Sequence, residues 1–393
     1  MKNYFQKEIN GKRIYIKTDS VDKLREVEAV IFDCDGVLID IRNSCNKAIS
    51  ETVIYLFEEI TGYKFPENVI SKEVIYLFKK SGGFNNDWDL TYAIVMGIFS
   101  KLPQDFQKIF EKHVNVNWSE KDLFKFFHSI KKGIRKEYKS DRLNNILCTL
   151  GDTLKQSAKS SNASGIAQIE KELTNLPHGF FIALKRFQSY PGSVGESLLT
   201  TVFEEIFCGP LLFREIYKKE PRIYMKRGLI ENENLIIHPK TMDELTFILG
   251  KANFGIASGR PFLLARHTLN KLLERFNPKA LVFLEDVETA EHENATNEVI
   301  LKKPNPFSLF KSSEGLIPFK FALYVGDSME DVVMVKEANK ADSRFLFVGV
   351  YEYSDFKNDV LNNFFKAEVE VIISSVNHLP TILKSLKRGE ELL

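Results

Sequence analysis

The sequence predicts an α/β protein: a parallel sheet with helices on both faces, interrupted after its first strand by a large helical segment. Three observations predict it. From about residue 235 onward, short apolar runs alternate with helical stretches, the pattern that builds a parallel sheet. A run of the same character, VEAVIFD at 27–33, stands far upstream and suits a strand buried on both faces. Between them, from about 43 to 225, apolar residues recur mainly at helical spacing. The length of 393 residues fits two domains or one enlarged domain.

Each element has a local reason. Residues 4–17 read as two alternating runs around Asn10-Gly11, a strong hairpin signal. Ser20 is placed to cap a short helix over VDKLREV. KAISETVIYLFEEI carries a helical stripe. Ser119 with Asp122 resembles a capping box ahead of LFKFFHSI. Further helices are expected over 141–159, 164–174 and 195–218, with SAKSSNASG at 157–165 as a small, polar loop. Later strands are expected at 253–257, 280–284, 321–325, 344–350 and 369–373. No fixed period repeats, which argues against a solenoid. The expected division is 1–42 with 230–393 as the α/β core and 43–229 as the insertion, enlarged at about 101–205.

Composition excludes several classes. Lys+Arg is 54 against Asp+Glu 53, so no global basic field exists for nucleic acid. No apolar run approaches the roughly 18–20 residues that span a bilayer, and MKNYFQKEIN lacks the apolar centre of a signal peptide. Cys34, Cys45, Cys148 and Cys208 show no CxxC spacing. That argues against a disulfide scaffold or zinc site and for a reducing, cytoplasmic setting. The 32 Phe point to a large core, or to more than one.

In such sheets, sites form beyond the carboxyl ends of the strands. The first strand ends in Asp33-Cys34-Asp35-Gly36. The second ends in Ser258-Gly259-Arg260-Pro261, and the fourth in Gly326-Asp327-Ser328, with Asp331 four residues on. Lys303-Pro304 lies before the fourth. Core packing alone would not place ionised groups at so many strand ends, because burying unpaired charge is costly.

FDCDGVL, ASGRP, KKPNP and GDSMED resemble, in order, the four signature motifs of the haloacid dehalogenase-like (HAD) superfamily. The resemblance covers about 27–42 and 235–376, roughly half the chain. It implies a Rossmann-like parallel-sheet core with a large α-helical cap after the first motif. It also implies roles. Asp33 is the nucleophile that forms an aspartyl-phosphate, and Asp35 is the acid for the leaving oxygen and then the base for water. Alone, DxDG would read as a turn bonding its own backbone. Asp33, the Asp35 carbonyl and Asp327 would hold Mg²⁺, with Asp331 either a ligand through water or simply a first-turn helix acid. Ser258 and Gly259 would bind phosphate at a helix start, or Ser258 would act as a plain cap. Lys303 is chosen over Lys302 because Pro304 follows it, and it would neutralise phosphate. Arg260 either reaches the substrate or braces a loop. An acid at Asp35 separates this chain from the superfamily's dehalogenases and points to phosphatases and phosphomutases. Cys34 reads as a small filler.

Within the insertion, Ser81–Thr91 stands out as SGGFNNDWDLT. Asn85, Asn86 and Trp88 would suit a polar, ring-shaped substrate. The plain reading is a Gly-Gly turn with Asp87 capping a helix from Trp88. GGFNNDWDLT and the later GLIENE resemble a poorly characterised branch of small capped HAD hydrolases. The addition at 101–205 would restrict the substrate or make an oligomer interface. The expected function is a Mg²⁺-dependent phosphomonoester hydrolase for a small phosphorylated metabolite. The alternatives are a phosphomutase of the same superfamily and a non-catalytic binding protein on a HAD core.

Overall fold

The computed structural model describes residues 3–9, 11–66, 69–84, 86–139, 142–161, 164–250, 253–293 and 300–389. The chain forms two compact units: 1–42 with 233–393, and 43–232.

The first unit is α/β. Its strands are β1 (Tyr4–Ile9), β2 (Lys12–Lys17), β3 (Val27–Phe32), β4 (Ile39–Asp40), β5 (Asn234–Leu235), β6 (Phe254–Ala257), β7 (Leu281–Val282), β8 (Phe321–Gly326), β9 (Phe345–Val350) and β10 (Val371–Ile373). Eight of them make one sheet in the order β1-β2-β10-β9-β8-β3-β6-β7. From β10 to β7 every pairing is parallel. The expected hairpin forms, with Ile9 opposite Lys12, although Asn10 lies outside the described residues. Its second strand then adds antiparallel to β10, with Ile16 opposite Val371.

Alternation along the strands divides the core. Val30 and Phe32 of β3 join one cluster with Met242, Leu245, Ile382 and Leu386. Ala29 and Ile31 join another with Leu309, Val335, Ala338 and Phe364. Helices therefore cover both faces, which is why β3 reads as an unbroken apolar run.

The second unit is helical, with nine helices among the described residues from Cys45–Thr61 to Leu198–Tyr217. Much of the phenylalanine sits here. Phe99 packs against Phe57, Phe110 and Phe187, and Phe110 packs against Phe180. Segment 101–205 thus shares one aromatic core with the helix Asp87–Ser100, where edge contacts add to area burial.

Several local expectations fail for physical reasons. Ser20 makes no cap bond to the helix Val21–Arg25; its hydroxyl donates to Asp19 instead. Asp122, not Ser119, caps Leu123–Glu137, accepting from Phe124 N and Lys125 N. Asn86, not Asp87, caps Asp87–Ser100. The stretch expected as a loop at 157–165 is helical through Ser160, because Ala158 continues the buried stripe of Leu150 and Leu154 at helical spacing; residues 162–163 lie outside the described residues. The run at 280–284 contributes only two strand residues before a helix begins at Leu284. The helix expected at 195–218 is broken at Gly209, with φ 68° and ψ 172°. A Cβ there would lie 2.4 Å from Gly228 N, so the crossing chain demands glycine.

Candidate active site

β3 lies between β8 and β6, and Phe32 pairs with Val325 on one side and Ile256 on the other. The residues just past these strand ends are therefore neighbours. Asp33 N donates to Val325 O at 2.9 Å and Ser258 N to Val282 O at 3.1 Å. These ladder bonds carry the two side chains to one edge of the sheet.

Lys303 joins the carboxylates. Its Nζ lies 2.9 Å from Asp33 Oδ2 and 2.8 Å from Asp331 Oδ1, and it donates to Tyr324 OH at 2.7 Å. Burial alone would lower the lysine pKa, but Asp33 and Asp331 outweigh it and hold the ammonium well above its usual range. The other Asp33 oxygen accepts from Cys34 N at 2.7 Å. Burial raises the Asp33 carboxyl most, Lys303 pulls it back, and it settles at about 6.

Asp331 is wholly buried. Its second oxygen accepts from Ser328 Oγ at 2.7 Å and from Ser328 N at 3.2 Å, forming a capping box on Met329–Ala341. With two protein cap donors on one oxygen and Lys303 on the other, Asp331 anchors the lysine.

Asp327 differs. It makes no hydrogen bond or ion pair among the described residues. Its carboxyl is pushed well above the usual range, first by burial and then by Asp331, Asp33 and Asp35. Asp33, Asp327 and Asp331 each bring one oxygen within 4.8 Å of the others. Hard oxygen donors with surplus negative charge suit a hard divalent cation. Gly36 makes room for this. A Cβ at residue 36 would lie 2.0 Å from Asp327 Oδ2, and its φ is +73°.

Asp35 is tied elsewhere. Its Oδ1 accepts from Arg260 Nη1 at 2.7 Å, so Arg260 braces an acid rather than standing free for a substrate. Ser258 is buried and interacts with Asp33; its Oγ accepts from Arg260 N at 3.3 Å. Gly259 is exposed. The Cys34 thiol is buried and pushed up by burial and by Asp33, which keeps it neutral and supports the filler role.

Of the residues singled out in the helical unit, Asn85 lies outside the described residues. Asn86 Oδ1 accepts from Trp88 N at 2.8 Å, and Trp88 Nε1 donates to buried Glu204 at 2.9 Å. Three residues of the α/β unit escaped sequence reasoning. Tyr324 sits mid-strand and passes for core. Glu233 lies in GLIENE, noticed only as a pattern. Glu330 neighbours Asp331, and burial with Asp331 pushes its carboxyl up to about 8.

No protein-family model matches this sequence, and no curated protein matches it. Among solved structures, an X-ray structure of a Northeast Structural Genomics Consortium target is similar at TM-score 0.58 and 18% identity, covering 93% of this chain and 100% of that one. Phosphatase Tt82 from Thermococcus thioreducens is similar at TM-score 0.47 and 17% identity, covering 85% of this chain and 98% of that one. The first likeness shows a shared fold alone. Among the described residues, no helix is long and apolar enough to cross a membrane.

Proposed function

We propose that this chain is a phosphomonoester hydrolase of the HAD type, dependent on Mg²⁺ and acting on a small phosphorylated metabolite. The observation that supports it is the Asp33–Lys303–Asp331 chain beside the unpartnered carboxylate of Asp327, gathered past adjacent strand ends.

In this reading, the phosphate oxygens meet Lys303, Ser258 Oγ and the Gly259 amide. Asp33 attacks phosphorus, and the bond to the leaving oxygen breaks as the aspartyl-phosphate forms. Asp35 delivers a proton to that oxygen, then takes one from the water that attacks phosphorus and frees Asp33. Asp33, Asp327 and the Asp35 carbonyl would hold Mg²⁺, which neutralises charge on the phosphoryl group when bound. Lys303, fixed by Asp331, shields Asp33 from the approaching anion.

The test is release of inorganic phosphate from p-nitrophenyl phosphate and from a panel of phosphorylated sugars and polyols. Release should require Mg²⁺, stop in chelator and vanish in Asp33→Asn, whose amide keeps the shape. Release that survives chelator or Asp33→Asn would refute the reading. A positional isomer formed in place of free phosphate would indicate a phosphomutase instead.

A further inference from the structure

Arg260 is the most enclosed cation of the site, with a side chain only 2% exposed. Its guanidinium is used at both ends. Nη1 donates to Asp35 Oδ1 at 2.7 Å, and Nη2 donates to Glu233 Oε2 at 2.6 Å. Glu233 is fully enclosed, with a side-chain exposure of 0%, and also accepts from Thr268 Oγ1 at 2.6 Å. The Asp35 side chain is 33% exposed. A buried carboxylate therefore stands behind a buried guanidinium, which in turn grips one oxygen of a half-open acid. A planar fork with two fixed partners has little freedom left.

We infer that Glu233 is a positioning residue for proton transfer: it locks Arg260, and Arg260 holds Asp35 by Oδ1 so that Oδ2 is the oxygen presented to the leaving group. This rests on the proposed function, which assigns the proton to Asp35. Arg260 itself neither gives nor takes a proton, because guanidinium does not deprotonate in proteins. Without Glu233, the guanidinium is free to swing, and Asp35 loses the rotamer that aims Oδ2. The bond from phosphorus to the leaving oxygen must then break with no proton in place. That penalises a basic leaving group and largely spares an acidic one.

The test is single-turnover release of the alcohol from phenyl phosphate and from p-nitrophenyl phosphate. With the native protein, the two rates should differ little. In Glu233→Ala and in Arg260→Lys, phenyl phosphate should slow by about 10–100-fold, and p-nitrophenyl phosphate far less. Arg260→Lys keeps the buried positive charge and so guards against misfolding in the alanine variant. Glu233→Gln, which keeps an acceptor of the same shape, should recover most of the loss. Rates that fall equally for both substrates, or a native ratio in Arg260→Lys, would overturn the inference. Asp33→Asn measured alongside separates the failures. If it stays active, the proposed function falls. If it is inactive while the Glu233 and Arg260 variants keep the native ratio, only this inference falls.

Discussion

Gly36→Ala probes the closest approach in the site. Residue 36 holds φ +73°, and its added Cβ would lie 2.0 Å from Asp327 Oδ2 and 2.5 Å from Asp327 Cγ. Two costs follow. A left-handed backbone at alanine costs roughly 1–2 kcal/mol. Relieving the contact needs a further retreat of Asp327 by about 1.4 Å to ordinary van der Waals distance. Gly82 separates the two. It has φ +77°, and a Cβ there meets nothing within 4 Å, so Gly82→Ala reports the backbone cost alone. Gly36→Ala should lose about 1–2 kcal/mol of stability from the backbone, as Gly82→Ala does. Its phosphate release should fall by about 100-fold or more, because a shift of about 1 Å in a reacting group costs that much. The assays are urea denaturation and phosphate release at saturating Mg²⁺. Native turnover in a folded Gly36→Ala protein would refute the placement of Asp327 at the reacting phosphate.

Three further outcomes are expected. In chelator, Asp327→Asn should melt a few degrees higher than the native protein, since it removes a buried carboxylate repelled by Asp331, Asp33 and Asp35; Mg²⁺ should raise the melting temperature of the native protein only, and equal Mg²⁺ shifts would sink the cation assignment. Asp33 holds its proton up to about pH 6 when folded, against about 3.9 for a free aspartate, so the folded state binds more protons in that window, and metal-free stability should fall as pH rises from about 4 to 6. Asp33→Asn should lack that slope in denaturation curves taken across the window, and a slope kept in the variant would assign it to another group. Asn86→Ala removes the bond to Trp88 N and should cost about 1 kcal/mol, read as a lower melting temperature that Asn86→Asp restores; no change would show that the cap is idle.

The α/β class and the residues that end the strands were legible in the order of amino acids alone. Both follow from local physics. A strand buried on two faces must be apolar throughout, so VEAVIFD announces itself, and charged residues directly after such a run mark its end. Asp33 and Asp327 were legible for that reason, whereas Ser258, Lys303 and Asp331 were legible only through the short motifs they belong to. Helix caps were less so: Asp122 and Asn86 each sat within a few residues of the expected cap, because several neighbouring side chains could reach the same free N–H groups. Which groups meet is set by the folded chain. Arg260 faces Asp35 across 225 positions of sequence, and Lys303 reaches Asp331 across 28. Strand order sets those meetings, and strand pairing carries no trace in either segment alone. Tyr324 and Glu233 stayed hidden for the same reason. A tyrosine in an apolar strand and a glutamate after a helix look ordinary until the fold supplies Lys303 and Arg260 as their partners.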